Sequence, residues 1–379
     1  MIAVLRSDGS LIARWFWSVD RIALSIIAAI AGVGFVILLA AGPAASQRLG
    51  IADSFHFPAR QLLFIGPAAA LMLGASLLSP LQARRLGVVI FAGALIVMAG
   101  ALLLAPEING SRRWAPIGDF LLQPSEFAKP GFAIVAAWML AEGARNPRFP
   151  GAAIAGALYA ALLLLLVSQP DYGQAALVTA VWMIMFFVIG WNWAWIAGVG
   201  VAGFSALVAG YFVSPHLARR VDAFMNPEGA ETYQTDKALE AIAHGGLLGR
   251  GGESAAVKLQ LPDAHTDFIF AVAGEEGGFL LCFTVIALFA ALTARLLVKA
   301  TGLKSLFAQC SVSGLAALIG LQSFINMGVA LRALPAKGMT LPLVSYGGSS
   351  LLATALTLGL ALALSRAPAL PRRRREILP

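Results

Sequence analysis

The sequence predicts an all-α polytopic membrane protein with ten transmembrane helices and a long, partly structured extracytoplasmic loop between helices 7 and 8. Hydrophobic residues make up 59% of the 379 residues, and charged residues make up only 12%. A typical soluble domain carries about 25% charged residues, so much of this surface must face a nonpolar medium. The apolar content excludes a disordered chain, and the presence of only two cysteines excludes a disulfide-rich secreted scaffold.

Ten segments contain the roughly 20 mainly apolar residues that a helix needs to cross a bilayer. The first segment is too long for the hydrophobic part of a signal peptide, so we interpret it as a retained span. The predicted spans are 22–44, 61–80, 86–105, 125–143, 151–168, 174–190, 194–213, 274–298, 305–332 and 347–365.

Positive charge predicts the orientation. Once the charges of the long loop 214–273 are discounted, the positive-inside rule places both termini in the cytoplasm. The chain then divides into a cytoplasmic tail (1–21), a membrane domain (22–365) and a basic cytoplasmic tail (366–379). The net charge of +8 is explained by cytoplasmic loops and anionic lipid. Because no nucleic-acid-binding motif is present, we expect membrane lipid and no nucleic acid as a partner.

The long loop carries apolar residues that predict local packing rather than disorder. A connection of this length inside a compact protein is usually either functional or disordered. The residues that favour packing are Tyr233, Leu239, Ile242, Leu247, Leu248 and Leu259.

Span 4 begins with a polar stretch that contains Gln123, Ser125, Glu126 and Lys129. Ser125 is expected to be the N-cap of the helix. Glu126 and Lys129 are three residues apart and share one helical face. An ionisable pair at membrane depth should face a cavity or the protein interior. The pair is therefore equally compatible with a functional site and with a structural ion pair.

Two further aspartates have a structural and a functional interpretation. Asp171 follows span 5, and its spacing favours a simple N-cap of span 6. Asp267 precedes Phe268 and Ile269 near the predicted membrane surface. An apolar setting raises the pKa of a carboxyl group and suits a general base, but Thr266 or Asp267 could equally cap a short helix. A lone histidine such as His265 is more often structural than catalytic.

The last outer loop contains two prolines and three glycines between residues 334 and 350, so no regular helix crosses it. Irregular backbone at membrane depth must be covered by protein or line a cavity. Its polar groups predict either an anion-binding loop or a structural re-entrant plug. The candidate residues in this loop are Lys337, Ser345, Gly347 and Ser349.

Together the outer loops would place cations beside carboxylates, which suits a phosphorylated ligand, with or without a divalent metal. Because the site adjoins lipid, a lipid pyrophosphate fits. The cations are Arg112, Arg113, Lys129 and Lys337, and the carboxylates are Glu126, Asp171 and Asp267.

Five stretches resemble the SEDS family in the same order along the chain. They are Asn109–Trp114, Gln123–Lys129, Gln169–Gly173, His265–Ala271 and Pro342–Ser350. Residues 334–342 and 262–265 are closer to the division branch of that family than to the elongation branch. One departure is the sequence Gly274–Gly278, where many members have a larger residue before the last glycine.

The resemblance implies the SEDS fold and a peptidoglycan glycosyltransferase that polymerises lipid II on the outer face of the bacterial inner membrane. Asp267 falls on the essential aspartate of the family, and Glu126 and Lys129 match its span-4 pair. The family pairs with a class B penicillin-binding transpeptidase, and other division proteins are expected partners. A divalent cation, Mg²⁺ or Mn²⁺, would suit the pyrophosphate, and the sequence leaves that requirement open.

A lipid flippase or transporter is the rival class, because polar residues inside spans also serve carriers. The ionisable residues cluster on one predicted side, and no matching pair of broken helices is evident, which favours the enzyme. A scaffold that only docks a partner is the third class. It predicts that Asp267 and Glu126 can be replaced without consequence.

Overall fold

The computed structural model describes residues 10–108, 110–118, 120–190, 192–213, 218, 221–222, 224–225, 232–335 and 338–366. Most of these residues are helical. The helices are α1 (Leu11–Ser18), α2 (Arg21–Arg48), α3 (His56–Ser76), α4 (Pro80–Leu104), α5 (Pro124–Arg145), α6 (Gly151–Ser168), α7 (Tyr172–Ile189), α8 (Trp193–Val213), α9 (Tyr233–Gly245), α10 (Ile269–Thr301), α11 (Leu306–Ala330) and α12 (Gly348–Leu364).

Each of the ten predicted spans coincides with one helix. Among the described residues, α2, α3, α4, α6, α7, α10 and α11 are long and apolar enough to cross a membrane. Helices α5, α8 and α12 match the other three predicted spans. The polytopic helical class is therefore confirmed, while the count of ten spans stays a prediction. Helix α12 has 17 residues, and charged residues at both ends of α5 reduce its hydropathy.

Three central helices are the most completely buried elements of the core. Helices α5, α11 and α12 are buried along most of their length. Outer helices expose apolar side chains instead, such as Leu63 on α3 and Leu104 on α4. Since nonpolar side chains on this outer surface face lipid in a membrane protein, the polar residues of the interior stand out as candidates for function.

A short hairpin leads into α5. Strand β1 (Ala115–Ile117) pairs antiparallel with β2 (Phe120–Leu122). Gly118 lies in the turn with a positive φ of 59°, which glycine adopts readily. The hairpin thereby fixes Gln123 at the entry to α5.

The region predicted as a long loop contains α9 and two short 3-10 turns, Gly252–Ser254 and Val257–Leu259. Local packing is present, but of the six residues predicted to provide it only Ile242 packs against the core. The other five are between 39% and 73% exposed: Tyr233, Leu239, Leu247, Leu248 and Leu259. The buried residues of α9 are small ones, including Ala238 and Ala241. Small side chains let α9 lie close to α10, which leaves the larger leucines outside.

Helix α10 is broken at Gly278, where φ is 67° and ψ is −164°. The break separates a buried half-helix, residues 269–277, from the long apolar part that follows. Because Asp267 lies two residues before Ile269, the half-helix determines where Asp267 is held.

Candidate active site

A buried ion pair marks the first turn of α5. Glu126 Oε1 lies 3.0 Å from Lys129 Nζ, and each residue is 4% exposed. Lys129 also donates to Gln322 Oε1 at 2.8 Å, and Gln174 Nε2 donates to Glu126 Oε1 at 2.8 Å. Helices α7 and α11 therefore supply partners to this pair on α5, which satisfies two charges that would be costly to bury alone.

The prediction that Ser125 caps α5 is wrong. Gln123 occupies the N-cap position, and Pro124 is the first helical residue. Proline suits that position because its φ is preset and its missing N–H would have no partner there. Ser125 therefore lies inside the helix, where its hydroxyl is buried without a hydrogen-bond partner among the described residues.

Asp171 is the N-cap of α7, as predicted, and it also takes part in the polar network. Its Oδ1 accepts from the Gln174 backbone N–H at 3.5 Å and lies 3.5 Å from Arg113 Nη1. Burial raises the pKa of the Asp171 carboxyl, and the Arg113 guanidinium offsets part of that rise. In the described part of the chain, Asp171 Oδ2 and Gln174 Oε1 are buried without partners. Arg112 is exposed.

Asp267 lies half-buried two residues before α10 and is not its N-cap residue. The N-cap of α10 is Phe268, with no side-chain cap hydrogen bond, and the Thr266 hydroxyl donates to the Asp263 carbonyl. The alternative that Thr266 or Asp267 caps the helix is therefore wrong. The Asp267 carbonyl accepts from Asn326 Nδ2 at 2.8 Å, which holds the backbone from the α11 side.

Two amide side chains on α11 connect Asp267 with the buried ion pair. Gln322 contacts Lys129 and donates to the Thr340 carbonyl at 3.1 Å. Asn326 binds the Asp267 carbonyl and also the Met339 carbonyl at 2.6 Å. Residues four apart on a helix are neighbours on one face, so the structure brings together the sites that the sequence places far apart.

Sequence reasoning missed Gln322 and Asn326. Both are buried in a mainly apolar helix that has no charged residue. Polar side chains within a transmembrane segment are uncommon and usually face partners or cavities. Their spacing of four residues was the available signal, but only the fold identifies their partners.

The last predicted outer loop packs around Asp267. A Cβ atom at Gly338 would lie 3.2 Å from Asp267 Oδ2, so a larger residue would crowd the carboxylate. The Ser345 hydroxyl donates to the Thr266 carbonyl at 2.6 Å. Lys337 lies outside the described residues.

Two other candidate residues of this loop form hydrogen bonds with the hairpin and with α3. The Ser349 hydroxyl donates to the Leu121 carbonyl at 3.0 Å and accepts from the Gln123 N–H at 3.2 Å. The Gly347 N–H donates to Gln61 Oε1 at 3.4 Å. These contacts hold the loop between the hairpin, α3 and α12.

His265 is a packing residue. Its ring lies against Phe57 and Tyr346, with centroid distances of 4.1 and 5.7 Å. Burial lowers its pKa to about 4, so the ring is neutral at neutral pH. Its Nδ1 is buried without a hydrogen-bond partner among the described residues, so the ring contacts support packing, and the expected role of His265 in substrate binding stays a prediction.

An apolar groove of about 400 Å³ lies beside this loop, between α2, α3 and α12. Its lining includes Leu343 and Val344 from the loop and Gln61 from α3. Gln61 also donates to the Ser345 carbonyl at 3.3 Å. The polar network and the groove are therefore joined through Gln61 and residues 343–347.

Within the described ranges, no cluster of three or more His, Cys, Asp or Glu residues could hold a metal ion. These residues therefore do not form a ready-made divalent cation site. The expected Mg²⁺ or Mn²⁺ stays a prediction, and we assign no step to it.

Comparison with known proteins gives a consistent result. The family model described as a cell cycle protein, covering FtsW, RodA and SpoVE, matches residues 21–369. The probable peptidoglycan glycosyltransferase FtsW of Caulobacter vibrioides is 42% identical over 96% of this chain and 93% of its own. The corresponding protein of Halorhodospira halophila is 36% identical over 96% of this chain and 94% of its own.

Solved structures show the same similarity. A chain from a peptidoglycan synthase complex that coordinates polymerization and crosslinking has a TM-score of 0.75 and 30% identity, and the match covers 92% of this chain and 97% of that one. The rod shape determining protein RodA of Thermus thermophilus has a TM-score of 0.69 and 31% identity, over 92% and 96% of the two chains.

Proposed function

The chain belongs to the FtsW, RodA and SpoVE family of cell cycle proteins, and we propose that it is a peptidoglycan glycosyltransferase that polymerises lipid II. The observation that carries this proposal is the α11 face on which Gln322 binds Lys129 and Asn326 binds the Asp267 backbone. Carboxylates, cations and an apolar groove then lie within one region, which suits a lipid-linked sugar donor.

The proposed reaction is a single displacement. Asp267 takes the proton from the sugar 4-hydroxyl of the acceptor lipid II as that oxygen attacks the anomeric carbon of the growing chain. The bond between that carbon and undecaprenyl pyrophosphate breaks, and an α-linked donor gives a β-linked product. A positioned general base typically contributes about 100- to 10,000-fold to the rate.

The leaving pyrophosphate needs positive charge and hydrogen-bond donors. Arg113 is half-buried beside Asp171, and Arg112 is exposed next to it. Lys129 supports the site from within the ion pair, and Lys337 belongs to the same proposed set. The loop and the hairpin connect several further members of the proposed substrate-binding set. The set is completed by Gln123, Ser125, Glu126, Asp171, His265, Ser345, Gly347 and Ser349.

The groove supports a lipid-linked substrate. Its walls are almost entirely apolar and are formed by α2, α3, α12 and residues 343–344. A hydrocarbon chain can occupy such a groove without a loss of hydrogen bonds. The reacting sugars would then reach the network through residues 343–347.

We propose that the protein lies in the bacterial inner membrane, with both termini cytoplasmic and the active face extracytoplasmic. The many similar FtsW proteins favour a role at the division septum over the elongation role of RodA-like proteins. The matched synthase complex supports a class B penicillin-binding transpeptidase as partner, with other division proteins around it.

The test is polymerisation of purified lipid II by the purified protein, with and without that transpeptidase. We expect glycan strands that gel electrophoresis resolves by length. A parallel liposome assay should detect no movement of fluorescent lipid II between leaflets. Lipid movement without polymer under both conditions would contradict the proposal and favour the transporter class.

A further inference from the structure

A buried carboxylate outside the site fixes the segment that leads to Asp267. Glu275 is fully buried in the half-helix of α10. Its Oε1 accepts from the Val257 N–H at 2.8 Å, and its Oε2 accepts from the Lys258 N–H at 2.7 Å. His244 Nδ1 lies 3.0 Å from Oε1. A buried carboxylate with several donors is a strong and directional attachment.

These donors belong to one segment, residues 233–260, which we call the strap. The strap begins with α9 and ends seven residues before Asp267. Glu276, next to Glu275, forms an ion pair with Lys258 and accepts from the Gly252 N–H at 3.3 Å. Two adjacent carboxylates therefore hold the strap against one turn of α10.

The strap also provides acceptors for N–H groups that follow the break in α10. Beyond Gly278, the Phe279 N–H donates to the Gly246 carbonyl at 2.9 Å, and the Leu280 N–H donates to the Leu247 carbonyl at 3.2 Å. A break in a helix leaves such N–H groups without their usual partners. The strap is thus bonded to α10 on both sides of the break, to the half-helix through Glu275 and to the long part through Phe279 and Leu280.

The backbones approach so closely that side chains are excluded. A Cβ atom at Gly245 would overlap the Gly274 carbonyl oxygen. Residues 269–275 are all buried, so the half-helix has little room to shift. Asp267, two residues before it, is therefore held by the strap on one side and by Asn326 on the other.

We propose that Glu275 is a positioning residue for Asp267. It locks the strap to the half-helix and so fixes the Asp267 carboxylate at the distance from the acceptor hydroxyl that proton transfer needs. The inference rests on the proposed function, since Asp267 is the proposed base. A misplacement of about 1 Å can reduce turnover by about 100-fold.

The test compares wild type with Glu275→Gln and the matched control Glu240→Gln, whose side chain is 52% exposed on α9. For Glu275→Gln we expect faster amide hydrogen exchange at Val257 and Lys258. We also expect a kcat for lipid II polymerisation about 10- to 100-fold lower, with a KM within about twofold of wild type. The control should match wild type in all three.

Faster exchange with unchanged kcat would overturn the inference, and so would a raised KM at unchanged kcat. If Glu275→Gln does not fold, variants of His244 provide the test. His244→Ala should lower kcat several-fold. His244→Asn places a donor near the former Nδ1 position and should restore kcat. Equal kcat for both His244 variants and wild type would also overturn it. Failure of the wild type to polymerise lipid II contradicts the proposed function instead, and the exchange data still report on the strap.

Discussion

Two clusters of polar and charged side chains lie near opposite ends of α10. They differ in how many of their buried oxygen atoms have hydrogen-bond partners. Near its C-terminal part, Asp20 accepts from Arg295 Nε at 2.8 Å, has Lys299 3.5 Å away and caps α2 through the Ile22 and Ala23 N–H groups. Around Asp267, at the other end, Asp171 Oδ2, Gln174 Oε1 and Asn326 Oδ1 are buried without partners among the described residues.

This difference indicates that the Asp20 cluster has a structural role and that the polar network around Asp267 is a binding or catalytic site. Fully paired groups stabilise one conformation, whereas buried polar atoms without partners are rare and call for an explanation. At the Asp267 end, a bound substrate or water can supply the missing donors. The cations beside Asp20 are also more exposed, since the side chains of Arg295 and Lys299 are 30% and 36% exposed and that of Lys129 is 4% exposed. Deeper burial and incomplete hydrogen bonding therefore both distinguish the Asp267 end.

The largest expected effect is loss of turnover in Asp267→Asn. The amide cannot accept the hydroxyl proton, so kcat should fall by about 100- to 10,000-fold while lipid II binding and the melting temperature stay close to wild type. The matched control is Asp263→Asn, an exposed aspartate in the same segment, which should retain wild-type turnover. Normal polymer from Asp267→Asn would rule out the base role.

The second effect concerns stability. Lys129→Met leaves Glu126 buried without its cation, and such a loss costs about 3–5 kcal/mol. Thermal unfolding in detergent should show a marked decrease, and the double variant Glu126→Gln with Lys129→Met should recover much of it. Lys237→Met, at an exposed ion pair with Glu240, is the control and should leave stability unchanged. Equal melting temperatures for Lys129→Met and wild type would show that the ion pair of Glu126 and Lys129 does not contribute to stability.

A smaller effect is a pH dependence due to His265. Its pKa falls from 6.5 to about 4 in the folded protein, so between these values the unfolded chain binds a proton that the folded chain does not. The free energy of unfolding should therefore decrease as pH falls from 6.5 to 4, by up to about 3 kcal/mol. His265→Phe, which keeps a ring against Phe57, should show a shallower decrease in the same denaturation series. Identical slopes would contradict this account.

The smallest effect is expected at Asp20. Burial raises the pKa of this carboxyl, but hydrogen bonds from Arg295 and Ala23, with the charges of Lys299 and Arg295, lower it overall. This stabilisation is present above the ordinary carboxyl pKa and is lost as pH falls below it. Asp20→Asn should cost about 1 kcal/mol at neutral pH, because the partly exposed partners are screened. The difference should vanish in acid, and a loss that persists there would point to packing instead.

The sequence predicted the helices well because long apolar runs are a strong signal, but it misplaced some ends. Helix α4 begins at Pro80, before the predicted residue 86, with Ser79 and Gln82 forming a capping box. Arg84 falls between the predicted spans 61–80 and 86–105, which makes it a predicted loop residue. It lies inside the helix, with its guanidinium 4.4 Å from the Trp138 ring, where a cation–π contact stabilises its charge.

The sequence predicted the charged residues of the site but not the hydrogen bonds that connect them. Glu126, Lys129, Asp171 and Asp267 carry ionisable groups that are conspicuous in an apolar chain. Gln322 is neutral and lies in a long apolar segment, so its contact with Lys129, 193 residues away, follows only from the fold. Local spacing cannot indicate which distant polar groups will meet.

The most direct test compares turnover per folded molecule in Gln322→Leu and Asp20→Asn. Gln322 connects Lys129 to the Thr340 carbonyl, whereas Asp20 belongs to the fully paired cluster. We predict that Gln322→Leu loses about tenfold or more in lipid II polymerisation and that Asp20→Asn matches wild type once corrected for folded protein. Equal turnover of the two variants would contradict the claim that the network around Asp267 is the catalytic end of the molecule.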